Sequence, residues 1–176
     1  MFTYHDIFDE KKNILVVTAH PDDSLVFFAS LMHQLRKDDK NVFVVCVTNG
    51  ARGSRENEIS EVDLAMQRVK EERMALESLG VDSENVFCLG YMDGEVESEM
   101  KLIGEISKFI RKYTIDIACT HEPALQYLAT YDKTGFFVQH RDHRKVGEAV
   151  IDAVYPFSRD RSFFHEHYAE GIEPHS

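Results

Sequence analysis

The sequence predicts an α/β fold, a three-layer, mostly parallel sheet with helices on both faces, on three observations. Short β-branched apolar runs alternate with longer segments of helical period, the runs are almost unbroken in hydrophobicity, and polar residues gather where the runs end. Strands covered on both faces read as continuous apolar runs, and residues 14–18, 42–48, 86–89 and 115–119 are of this kind. After the first run, Leu25, Phe28, Met32 and Leu35 recur at helical spacing; Met66, Val69, Leu76 and Leu79 do so after the second, and Leu102, Ile106, Phe109 and Ile110 after the third. Leu79-Gly80 reads as a helix end with glycine in the left-handed cap. A fourth helix opens at His140-Arg141-Asp142-His143, turns Val146, Ala149, Val150, Ala153 and Val154 inward, and is stopped by Pro156. Residues 157–176 have no clear period and receive no assignment.

A chain of 176 residues, 43% hydrophobic and 29% charged, is expected to fold as one domain over residues 1–176. Its formal charge of -11 opposes binding to a phosphate backbone, so no nucleic-acid partner is expected. No apolar stretch approaches the roughly 20 residues of a membrane span, and residues 1–12 are too charged for a signal peptide. Cys46, Cys88 and Cys119 are isolated and odd in number, which reads as reduced thiols and a cytoplasmic location.

In an open α/β sheet, ligands bind beyond the carboxyl ends of the strands. The first run ends in Ala19-His20-Pro21-Asp22-Asp23, and the distant helix start supplies His140, Asp142 and His143. Two imidazoles and one carboxylate with an open position make a hydrolytic zinc site, and His20, Asp23 and His143 are candidates for it. The same donor set also holds iron in oxygenases. Asp22 beside the attacking water as base, and His140 oriented by Asp142 as electrophilic partner, favour hydrolysis, because they crowd the metal with proton-transfer groups. The bland reading is that each cluster alone forms a turn or a helix cap. His5, His33, His165, His167 and His175 are expected to be solvated; His121, which follows the fourth run, either lines the pocket rim or is a plain turn residue, the latter being preferred.

These residues resemble those of the LmbE-like, or PIG-L, N-acetylglucosaminyl deacetylases. The likeness runs through His20-Pro21-Asp22-Asp23, Thr48-Asn49-Gly50, Arg68 and Glu71 ahead of Leu79-Gly80, Asp93-Gly94, and His140 to His143. It implies a Rossmann-like sheet and one zinc per chain on His20, Asp23 and His143. Asp22 would be the base, protonated His140 would steady the oxyanion, and Asp142 would tune it; either Asp22 or His140 would protonate the departing amine. Arg68 would contact the sugar, though a surface ion pair with Glu71 or Glu72 is the plain alternative. Asp93 and Arg52 are further substrate candidates. The expected substrate is an N-acetylated amino sugar, with room for a homo-oligomer. An amidase acting on a larger conjugate and a non-catalytic sugar-binding protein are the rivals. Ser24 departs from the glutamate frequent in the family, and the chain is expected to lack the family's last strands.

Overall fold

The computed structural model describes residues 2–54, 59–130, 132 and 134–176; Met1, where the charged amino-terminal stretch begins, lies outside them. In chain order the elements are α1 (Tyr4–Phe8), β1 (Asn13–Thr18), α2 (Asp23–Lys37), β2 (Asn41–Thr48), α3 (Glu61–Ser78), β3 (Val86–Tyr91), α4 (Met100–Lys112), β4 (Ile117–Cys119), β5 (Tyr127–Ala129), β6 (Phe136–Val138), α5 (Arg141–Asp152) and α6 (His165–Ala169). Four parallel strands form the main sheet in the order β3-β2-β1-β4. β1 meets β2 from Asn13↔Asn41 to Thr18↔Cys46 and meets β4 from Ile14↔Ile117 to Val16↔Cys119.

The alternation of side chains along each strand divides the core into two halves. Even-numbered Ile14, Val16, Val42, Val44 and Val86 pack with Met32 and Leu35 of α2 and Leu76 of α3. Odd-numbered Leu15, Val17, Phe43, Val45 and Val47 pack with Leu102 and Ile106 of α4 and Val146 and Val150 of α5. Both faces are therefore covered, which is why the runs are apolar at every position.

Several expectations change. Met66 and Val154 are 62% and 45% exposed, not inward. On α3, Leu76 and Leu79 pack into the core as expected, whereas Glu72 is buried and Arg68 half-buried where the apolar stripe places Met66. Helical period thus places the helix and its carboxyl-terminal half correctly and misses the polar residues turned inward. The C-cap is as expected, with Gly80 at φ +87 and Val81 N–H donating to Leu76 O at 3.1 Å. Regular α5 ends at Asp152, one turn before Pro156, and an irregular turn follows to Phe157. The antiparallel pair β5–β6 has no counterpart in the sequence reading, since its exposed residues lack a core face to pattern.

The tail is ordered by a residue with no sequence signal of its own. Arg111, 2% exposed, donates to the carbonyls of Ser158 at 2.9 Å, Phe157 at 2.8 Å and Asp160 at 2.9 Å, and meets His167 Nδ1 at 3.1 Å. His167 is consequently buried and His175 binds Ile115 O at 2.9 Å, so neither is solvated as the sequence suggests. No described helix is long and apolar enough to cross a membrane.

Candidate metal and catalytic site

Because all four strands are parallel, their carboxyl ends share one edge, and the strand order reverses beside β1, between β2 and β4. That reversal opens a crevice above β1. The turn after β1 fills it. Asp23 N–H donates to His20 O at 3.2 Å around Pro21, and His20 N–H donates to Asp23 Oδ2 at 2.8 Å. α2 then starts at Asp23, fixing its buried carboxylate at the helix amino terminus.

α5 brings the second half from 120 residues away in sequence. His140 is its N-cap, and its Nδ1 accepts Asp142 N–H at 3.2 Å, so the neutral ring carries its hydrogen on Nε2. Burial and the charge on His20 lower the His140 pKa, which favours that neutral form over the protonated ring expected from sequence. One turn on, His143 Nε2 lies 3.2 Å from Asp23 Oδ2 and 3.3 Å from His20 Nδ1, while His20 Nδ1 lies 3.3 Å from Asp23 Oδ2. Donors about 2.0–2.1 Å from a tetrahedral ion sit about 3.3 Å apart, so these three atoms have the separations of one face of such a shell. Among the described residues, His20, His140 and His143, and separately Asp23, His121 and His143, also come close enough to hold a metal ion.

Burial and charge favour a cation here. Burial acts to raise the Asp23 carboxyl, but the imidazoles around it outweigh burial and the pKa falls. For His20, burial acts downward, and hydrogen bonds to Asp142 and Asp23 overcome it, lifting the pKa to about 9. A nest of buried carboxylates around one imidazole calls for positive charge, which a proton or a metal ion supplies.

Two placements differ from the sequence reading. The Asp142 carboxylate, fully buried, does not orient the His140 ring. It accepts Gly94 N–H at 2.7 Å and Val96 N–H at 3.3 Å and lies 3.3 Å from His20 Nε2, where Asp93 Oδ1 stands at the same distance. Asp142 therefore steadies His20, on the side away from His143. Arg68 pairs with neither Glu71 nor Glu72: its Nη2 donates to Asp22 Oδ2 at 2.7 Å. Glu71 is exposed, and Glu72 is the buried member, accepting the Ser24 hydroxyl at 2.7 Å. Burial pushes the Glu72 carboxyl up to about 7.

His121, which the sequence places at the pocket rim or in a plain turn, belongs to the cluster. It follows β4, the strand on the far side of the reversal from β2, and is buried against the site. Its ring stacks on His143 at 4.0 Å and 2°, and its Nε2 lies 3.1 Å from Ala19 N and 3.4 Å from Asp23 Oδ2. One nitrogen cannot both accept from Ala19 and donate to Asp23. The strand fixes the Ala19 hydrogen, so the ring accepts and its lone pair is engaged. Its position after a strand suggests the rim; its contact with His143 and Asp23 follows from the strand order, which sequence does not carry.

Asp22, Arg52, Arg68 and Asp93 line a polar cavity of about 310 Å³ beside His20 and His140. Arg52 is partly engaged there, donating to Asp93 O at 3.1 Å and Glu95 Oε1 at 2.7 Å.

Comparison with known proteins agrees with this architecture. A diacetylchitobiose deacetylase of Thermococcus kodakarensis is 29% identical over 175 residues, which is 99% of this chain and 61% of that protein. The structure of an N,N'-diacetylchitobiose deacetylase from Pyrococcus horikoshii, complexed with its inhibitor, is similar with a TM-score of 0.86 and 27% identity over 99% of this chain and 61% of that one. The chain thus spans about three fifths of either relative. A 4-carboxy-2-hydroxymuconate hydratase from Pseudomonas putida, 20% identical with a TM-score of 0.65 over 81% of this chain and 55% of that one, shares the fold alone. The model of the PIG-L family, GlcNAc-PI de-N-acetylase, matches residues 15–154, from β1 through α5 and every residue of the cluster, and the chain belongs to that family.

Proposed function

We propose that this chain is a metal-dependent amide hydrolase that removes the acetyl group from an N-acetylglucosamine-type amino sugar, with one zinc ion held by His20, Asp23 and His143. The observation that carries this reading is the mutual 3.2–3.3 Å spacing of His20 Nδ1, Asp23 Oδ2 and His143 Nε2 at the mouth of a polar cavity. Zinc there would act as a Lewis acid toward the amide carbonyl and make water more acidic. Asp22, 56% exposed at the cavity and held by Arg68, takes the proton of the attacking water. His140 donates from Nε2 to the carbonyl oxygen as negative charge develops on it. The departing amine receives its proton from Asp22, which took it from the water, while neutral His140 keeps its Nε2 hydrogen on the oxygen. Asp142 and Asp93 hold His20 from behind, and Arg52, Arg68 and Asp93 offer the sugar hydroxyls both donors and acceptors. The diacetylchitobiose deacetylases it resembles support an amino-sugar substrate. The unpaired Cys46, Cys88 and Cys119 fit a reducing, cytoplasmic setting.

Acetate release from a panel of N-acetylglucosamine conjugates, before chelation, after it, and after zinc is restored, tests the reading. Release is expected only with the metal in place. Release that ignores the chelator removes the metal assignment, and no release from any conjugate by the zinc-loaded protein removes the hydrolase.

A further inference from the structure

Two cavities of opposite character meet at the histidine cluster. The polar one, with Arg52, Arg68 and Asp93, is described above. The second, of about 480 Å³, is walled by Phe27, Phe28, Leu128 and Phe137 and opens onto His121, His140 and His143. The Phe27 ring stands edge to face 5.5 Å from His121 and 6.0 Å from His143, so the apolar wall begins at the cluster itself. A cavity of this size and apolar lining, opening on the cluster, has room for an apolar part of a substrate.

The connectivity of the substrate names that occupant. An amide carbonyl carbon bears two substituents, the nitrogen that carries the sugar and the acyl carbon. With the carbonyl at the cluster and the hydroxyl-rich ring among the charged groups of the polar cavity, the acyl carbon points away from the ring, toward the aromatic wall. An acetyl group places one methyl there, roughly the 30 Å³ share of a water molecule, and leaves most of the cavity empty.

We propose that this cavity is an acyl pocket and that the chain hydrolyses amino sugars whose N-acyl chain is longer than acetyl; at roughly 30 Å³ per carbon, chains of about four to eight carbons fit within it with room to spare. The inference rests on the hydrolase reading. The reaction is balanced by water alone: the C–N bond breaks, the water oxygen bonds to the acyl carbon, and a proton passes to the nitrogen, giving a carboxylic acid and the free amino sugar.

The test compares N-acetyl-, N-butyryl- and N-hexanoylglucosamine with zinc-loaded protein, reading free amine. A buried methylene is worth about fourfold, so kcat/KM for the hexanoyl compound is expected to exceed that for the acetyl compound by about tenfold or more. Acetyl hydrolysed as fast as hexanoyl, or faster, overturns the acyl pocket and leaves the deacetylase standing. Calorimetry on zinc-loaded Asp22→Asn reads binding without turnover. A Kd about tenfold lower for the hexanoyl compound supports the pocket, and equal values overturn it; tighter binding with no amide hydrolysed by the wild type sinks the hydrolase alone. Hexyl N-acetylglucosaminide separates the two apolar sources: a gain from this compound and none from N-hexanoyl assigns the wall to an aglycone and overturns the proposal. Phe137→Asp, at a half-exposed position, and Leu128→Asp are each expected to lower the hexanoyl-to-acetyl ratio by about tenfold, and an unchanged ratio in both counts against it.

Discussion

His143 and His121 stack face to face, yet truncating them is expected to have different consequences. His143 Nε2 is within 3.3 Å of both His20 Nδ1 and Asp23 Oδ2, whereas the His121 lone pair accepts the amide of Ala19. His143→Ala should therefore abolish stoichiometric zinc, and His121→Ala should keep it, with affinity weakened by about 10–100-fold as for other residues that steady a ligand. Metal content after dialysis at micromolar zinc distinguishes them; loss in both variants would make His121 a ligand. Asp22→Asn is expected to retain zinc and lower kcat by about 10² to 10⁴, the usual contribution of a positioned base, and full activity would take that role from it. Asp22, His140 and the three proposed ligands were legible as residue types because carboxylates and imidazoles concentrated at a strand end and a helix start have few structural reasons to be there. Their pairings were not legible. That Arg68 meets Asp22 and Asp142 meets His20 depends on contacts between residues 46 and 122 positions apart.

At the scale of elements, the site depends on how closely α5 approaches the segment after β4. A Cβ on Gly147 would lie 2.5 Å from His121 O and 3.1 Å from Pro123 Cβ, so only glycine lets the helix sit there. Gly147→Ala is expected to cost about 1–3 kcal/mol in denaturant unfolding and to weaken zinc binding as well, since the same helix carries His140 and His143. An unchanged midpoint would mean that α5 packs elsewhere. α3 presents another case, a helix that buries a carboxylate beside its apolar residues. Glu72 has its pKa raised to about 7 by burial, above its ordinary 4.5. Between those values the unfolded chain has lost the proton that the folded chain keeps, so stability falls as pH rises from about 4.5 to 7. Glu72→Gln should flatten that part of the pH profile in the chelated protein and gain most at pH 8, as read from urea midpoints at pH 5 and pH 8; parallel profiles would assign the proton elsewhere. The apolar stripe on α3 holds at Leu76 and Leu79 and fails at Met66, because Arg68, which reaches Asp22, and Glu72, which meets Ser24, turn inward without an apolar mark in the sequence.

For the whole molecule, the proposed ion would join the end of β1 to the start of α5, positions 20 and 143, and so would act as a long-range clamp. Zinc at about 100 times its Kd adds about 2.7 kcal/mol, which for a chain of this size raises Tm by about 5–10 °C. Circular-dichroism melts with zinc and with chelator should show this rise in the wild type and none in His143→Ala. An equal rise in both would place the stabilising ion somewhere else. By itself the sequence determined the four sheet strands, the helices between them and the polar groups that leave the strand ends, because a strand covered on both faces and a helix covered on one leave periodic apolar marks that need no knowledge of distant partners. Only the tertiary structure decided the order β3-β2-β1-β4, and with it the entry of His121, the use of Asp142 behind His20, the polar residues turned inward on α3, and the aromatic wall that Phe27 builds with Leu128 and Phe137. Those features arise where separate elements close on one another, and closure depends on which strands are neighbours, a property that no local pattern of residues records.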